Sequence, residues 1–196
     1  LLTDDYEDLP WGAFPETTPC GLCFTSGTTG DPKGVTYTHR GNFLHTLRQL
    51  QADVSGMTSH DVVLPVVPMF HASAWGLPFS APATGAKLIV EEGVTIAVGV
   101  PTVWLGVFDY ADEAGLELPS LKSVMVGGAP MHPALMKRIE DRGICVQTTW
   151  GMTELSPLGT AAPPGDARSP DTAGRPAIGI DLMLADSTGT PLEEQR

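Results

Sequence analysis

The sequence predicts an α/β domain, a mixed and largely parallel sheet flanked by helices. Three observations carry this. Short apolar runs alternate with helical patterns from residue 38 onward. The run 62–67 is apolar on both faces, as a strand covered on both sides must be. Pro101 and Pro133 stand where helices can start, because a first-turn residue needs no N–H donor. The 196 residues, 42% of them hydrophobic, suffice to bury one core.

Taken in order, residues 1–19 are acidic and proline-bearing and read as a connector, with the packed part spanning 20–196. Two strands, 22–25 and 35–38, flank a polar loop. Thr38 can cap a helix running to about residue 52, with Phe43, Leu44, Leu47 and Leu50 on its inner side. Further strands are expected at 62–67, 86–90, 95–98, 124–126 and 144–148, and helices at 101–114 and 133–141. One junction is odd. Only Glu91, Glu92, Gly93 and Val94 separate strands 86–90 and 95–98. A parallel crossover takes about a dozen residues, so four allow only a hairpin unless a segment is missing there. Similar abrupt joins occur near residues 9–10 and 165–166.

A formal charge of −12 argues against nucleic-acid partners and against docking on an anionic membrane. No apolar stretch reaches the length of a membrane span, and the first residues lack the pattern of a signal peptide. Three cysteines give no disulfide framework. Cys20 and Cys23 read as plain thiols, which fits a reducing cytoplasm.

The chemistry is concentrated in Thr25, Ser26, Gly27, Thr28, Thr29 and Gly30, followed by Asp31, Pro32, Lys33 and Gly34. Glycines let backbone N–H groups turn toward an anion. Hydroxyls donate to phosphate oxygens, and lysine adds a mobile positive charge. Eight such residues in one loop fit a polyphosphate cradle better than an ordinary turn. This is not the P-loop of NTPases, because Lys33 enters a β-like stretch and not a helix. Three more stretches follow. Gly127, Gly128, Ala129 and Pro130 end an apolar strand, where ligands collect in a doubly wound sheet. Trp150, Gly151, Met152, Thr153 and Glu154 offer a stacking ring, a hydroxyl and a carboxylate. His71 lies between Phe70 and small residues, with Trp75 four positions on.

The loop has the form T-S-G-T-T-G-x-P-K-G and resembles the signature of the adenylate-forming superfamily, which includes acyl-CoA synthetases, luciferase and peptide-synthetase adenylation domains. The resemblance implies the large N-terminal domain of such enzymes, incomplete in these residues. It implies ATP, Mg²⁺ and coenzyme A as cofactor and co-substrates, and a small carboxylic acid as partner. By resemblance, residues 25–30 and Lys33 would cradle the phosphates, and Thr153 would touch the α-phosphate. Glu154 would hold Mg²⁺. Gly128, Ala129, Pro130 and Trp150, with Gly151 and Met152, would seat the adenine. His71, Trp75 and Gly127 would border the acid, and Trp104 would either line the same pocket or pack in the core. Trp150 stands where the family more often has tyrosine.

The form His-Ala-x-x-Trp-Gly resembles synthetases of medium- and long-chain fatty acids and their short thioether-acid relatives. The family's ribose-binding aspartate and its mobile C-terminal lid, with a catalytic lysine, are expected outside these residues. Another thiol acceptor, or a non-catalytic nucleotide-binding piece, are the alternatives. A homodimer is compatible with the sequence.

Overall fold

The computed structural model describes residues 12–25, 30–88, 93–165 and 168–192. It contains a two-stranded hairpin and a seven-stranded sheet. β1 (Pro19–Thr25) and β2 (Lys33–Thr38) pair antiparallel, and Thr25 stands opposite Lys33 at the mouth of the loop. The chain then enters α1 (His39–Gln49). The Thr38 side chain accepts from the Gly41 N–H at 3.0 Å, so the expected cap is present.

The large sheet runs β4-β3-β5-β6-β7-β8-β9. Its members are β3 (Val62–Pro65), β4 (Lys87–Leu88), β5 (Ile96–Gly99), β6 (Ser123–Val126), β7 (Cys145–Gly151), β8 (Leu158–Ala161) and β9 (Arg175–Pro176). The first five in that spatial order are parallel, and β8 and β9 close the edge antiparallel. The strands on either side of 91–94 do not pair with each other as a hairpin. β4 and β5 lie on opposite sides of β3, both parallel to it, with Val63 opposite Leu88 on one side and Ile96 on the other. β5 is buried throughout beside β3, whereas β4 is a two-residue edge strand, Lys87–Leu88, with both residues exposed. Residues 89–92 of the connection lie outside the described residues.

Two cores sit on the two faces of the sheet. On one face Val63, Ile96, Val98 and Met125 pack against Leu77 and Ala81 of α3 (Leu77–Thr84). On the other Ala97, Val124, Val126 and Val146 pack against α4 (Pro101–Ala114) and α5 (Pro133–Glu140). Within single strands the alternation sends Val98 to one core and Ala97 to the other, as a period of two requires.

α1 departs from expectation. Phe43, Leu44 and Leu47 are 62%, 49% and 49% exposed, while His45, Thr46 and Gln49 are buried. The helix turns its polar side inward. α3 and the single turn α2 (Ala72–Trp75) were not expected, because Pro78 and Pro82 break the helical pattern.

Candidate active site

A cleft of about 150 Å³ opens at the C-terminal ends of the parallel strands. That is the edge where ligands bind in open α/β sheets. Val98 of β5 and Met125 of β6 form part of its wall. His71, Ala72 and Trp75 enter from the segment after β3, and Gly127 and Gly128 from the turn after β6. Thr149 to Thr153 close it from the end of β7, and His45 and Gln49 face it from α1. Three stretches singled out in the sequence, separated by about 80 residues in all, thus meet in one place.

The segment that delivers His71 and Trp75 is strained. Ala72, Ser73, Ala74 and Trp75 have φ of 45°, 55°, 50° and 55°, and Gly76 follows at 77°. This is a left-handed helical turn built mostly without glycine, at a cost of about 1–2 kcal/mol for each L-residue. Such conformations concentrate at functional sites, where the surroundings hold them. The turn brings the Trp75 ring back over the Gly-Gly segment. A Cβ at Gly127 would lie 2.6 Å from Thr149 Oγ1 and 3.1 Å from Trp75, so the room left by Gly127 is already filled by protein. His71 is exposed, with its ring 4.6 Å from that of Phe70.

The end of β7 is held from two sides. The Tyr37 hydroxyl, on β2, donates to the Thr153 carbonyl at 2.7 Å. Burial, with Cys23 and Glu154 nearby, raises the Tyr37 pKa further, so the phenol keeps the proton it donates. Arg48 of α1 donates to the carbonyls of Ile178 at 2.8 Å and Leu158 at 3.4 Å. Together they tie the β1–β2 hairpin and α1 to the turn that carries Thr153 and Glu154. Trp150 is 42% exposed and lines the cleft, with its ring against Gly159 of the neighbouring strand.

The remaining expected residues fall in different places. Lys33 and Gly30 are exposed on the hairpin, and Thr25 is half-buried at the end of β1. Ser26, Gly27, Thr28 and Thr29 lie outside the described residues. Glu154 is exposed in the short 3₁₀ turn 153–155, and Ala129 and Pro130 are exposed beyond the cleft wall. Trp104 is a correction. It is 2% exposed in the core beneath α4, where its Nε1–H donates to the Gly99 carbonyl at 3.3 Å, and it does not line the cleft. Its place on the inner stripe of an amphipathic helix decides this. His45, Gln49, Tyr37 and Arg48 were not anticipated. The inverted polarity of α1 was readable only as polar residues at positions 45, 46 and 49.

A family model described as AMP-binding enzyme matches residues 7–196. This chain belongs to that AMP-binding enzyme family. It is 38% identical to a 3-methylmercaptopropionyl-CoA ligase of Ruegeria lacuscaerulensis, over 98% of this chain and 40% of the relative. It is 40% identical to a medium-chain-fatty-acid–CoA ligase of Ectopseudomonas oleovorans, over 99% of this chain and 40% of the relative. The inhibitor-bound N-terminal domain of FACL13 from Mycobacterium tuberculosis superposes with a TM-score of 0.79 at 27% identity, covering 96% of this chain and 50% of that one. The chain therefore spans about 40% of the length of the curated relatives it matches. The first match runs over 218 positions, more than the 196 residues present, so the Ruegeria relative has internal positions with no counterpart here. No helix among the described residues is long and apolar enough to cross a membrane.

Proposed function

We propose that the protein containing this chain joins a small carboxylic acid to ATP, giving an acyl-adenylate and pyrophosphate. Coenzyme A then displaces AMP to leave a thioester. The observation that carries this reading is the convergence of 71–75, 127–128 and 150–153 in one cleft beside the phosphate-loop hairpin. No protein nucleophile is required. The acid's own carboxylate attacks the α-phosphorus, and catalysis consists of positioning and charge neutralisation.

In this reading the loop 25–30 and Lys33 cradle the β- and γ-phosphates, and the Thr153 hydroxyl reaches the α-phosphate. Trp150 stacks on adenine beside Gly128, and Gly151 and Met152 shape the same wall. His71 and Trp75 border the carboxylate and its tail. Glu154 offers a single carboxylate with solvent access. That suits Mg²⁺, which takes one or two carboxylates and completes its shell with phosphate oxygens and water. The ion would neutralise phosphate charge as it develops. Tyr37 and Arg48 position this turn without touching substrate.

The His-Ala-x-x-Trp-Gly form supports a fatty or short thioether acid, and two relatives are named for such acids. We place the enzyme in the cytoplasm on its unpaired cysteines.

The test is acid-dependent pyrophosphate release from ATP by the full-length protein. Lys33→Ala and Glu154→Ala should each reduce it by about 10²-fold or more, the loss typical of a missing charge-stabilising group. Unchanged rates would overturn the assignment. AMP release measured with and without coenzyme A separates a coenzyme A ligase from an enzyme with another acceptor.

A further inference from the structure

The cleft has one feature that the reaction does not use. His45 is 3% exposed, and neither ring nitrogen has a hydrogen-bond partner. Gln49, one helical turn on, is 4% exposed, and its Oε1 is also unpartnered. Both line the cleft. Buried polar side chains are almost always satisfied, so two orphans side by side call for a missing partner. The other unpartnered buried atoms among the described residues, Glu140 Oε1 and Arg168 Nε, belong to an ion pair with each other, whereas His45 and Gln49 have no such partner. Buried Gln147 donates to the Val54 carbonyl at 2.6 Å and the Ala162 carbonyl at 3.2 Å.

The pair is held in place. α1 carries both residues at i and i+4, on its buried side. Gly76, at φ 77°, admits the imidazole, since a Cβ there would lie 2.8 Å from His45 Nε2. Burial and the neighbouring Arg48 lower the His45 pKa to about 4, so the ring is neutral near pH 7. A neutral imidazole offers one donor and one acceptor, and Gln49 adds an acceptor.

Resting on the adenylation reading above, we propose that His45 and Gln49 form a polar subsite of the acid pocket that hydrogen-bonds a hydroxyl or carbonyl carried on the tail of a short acid. An alkyl tail placed there would leave the buried groups unpaired, which is how a binding site rejects an analogue lacking its polar group. A hydroxyl can donate to one partner and accept from the other. A thioether sulfur is only a weak acceptor and satisfies the pair poorly.

The experiment compares kcat/KM for acid-dependent pyrophosphate release by the full-length protein with matched acids. 4-Hydroxybutyrate is set against pentanoate, and 5-hydroxypentanoate against hexanoate, each pair differing by hydroxyl for methyl. Octanoate and 3-(methylthio)propionate are included. The wild type should favour at least one hydroxy acid over its alkyl isostere by about tenfold or more, the scale set by one unsatisfied buried group. Gln49→Leu and His45→Leu should each shrink that ratio toward one. Thermal melting of both variants confirms that they fold, and either one alone suffices for the comparison. Preference for the alkyl acids, or a ratio that neither substitution changes, would overturn the subsite while adenylation stands. Pyrophosphate release with none of the six acids would instead overturn the adenylation reading beneath it.

Discussion

α5 and α1 are helices of similar length with opposite construction. α5 buries Leu135, Met136 and Ile139 and turns Lys137 and Arg138 outward. Arg138 pairs with Asp109 at 2.6 Å and also with Asp112 on the neighbouring α4. α1 exposes Phe43, Leu44 and Leu47 and buries His45, Thr46 and Gln49. The contrast separates two jobs. A helix that covers a core obeys apolar periodicity, because each buried methylene contributes about 0.8 kcal/mol. α1 instead turns polar side chains into the cleft and leaves its apolar ones on the other side.

The comparison can be broken by substitution. Ile139 is fully buried, so Ile139→Ala should cost about 2–5 kcal/mol in denaturant unfolding. Leu47→Ala, the same kind of truncation on α1, should stay within about 0.5 kcal/mol. Similar losses at both positions would mean that the outward side of α1 is covered and the contrast is false.

A pH titration sharpens it. His45 has a folded pKa of about 4 against an ordinary 6.5, lowered by burial and by Arg48. Below pH 6.5 the unfolded chain takes up a proton that the folded chain refuses. Stability should therefore fall as pH drops from 6.5 toward 4, by at most about 3 kcal/mol, and this loss should vanish in His45→Leu. Asp61 titrates lower. Burial opposes its ionised form, but hydrogen bonds from Thr58, Thr95 and Lys122 outweigh that and hold its carboxyl at about 2. Its contribution is complete above pH 3.8 and is lost only as pH falls toward 2, so the two windows can be read separately. A flat stability profile between pH 6.5 and 4 would place His45 in contact with solvent or a partner.

Thr38→Ala should cost about 1 kcal/mol through loss of the cap on α1. Its companion, His45→Leu, should raise stability by about 1 kcal/mol, because it removes a buried group without a partner. Both are measured by thermal unfolding. A loss of stability in His45→Leu would show that the imidazole is satisfied inside the protein.

Much of the sheet was legible because its strands are short apolar runs with both faces covered, as at 62–65, 96–99 and 123–126. α4 was legible in full, since Pro101 marks its start and Gly115, at φ 63°, its end. The turn at 72–75 was not, because nothing in Ala-Ser-Ala-Trp signals a left-handed backbone that only the surrounding fold can enforce. α3 hid behind Pro78 and Pro82. The junction after β4 was legible as odd, because its spacing left only a hairpin or a missing segment; the two strands flank β3 and do not pair, and the match to the first relative runs over more positions than this chain has residues. At the site, motif residues were found by type and order. Those that hold or complete the cleft, Tyr37, Arg48, His45 and Gln49, are ordinary residues whose roles come from tertiary contacts.

The most direct test of the central claim is to incubate the full-length protein with ATP, Mg²⁺ and a panel of short acids, and to follow pyrophosphate with and without each acid. The account predicts release that depends on the acid and is lost in Glu154→Ala. Release that ignores the acid, or that survives Glu154→Ala unchanged, would contradict it.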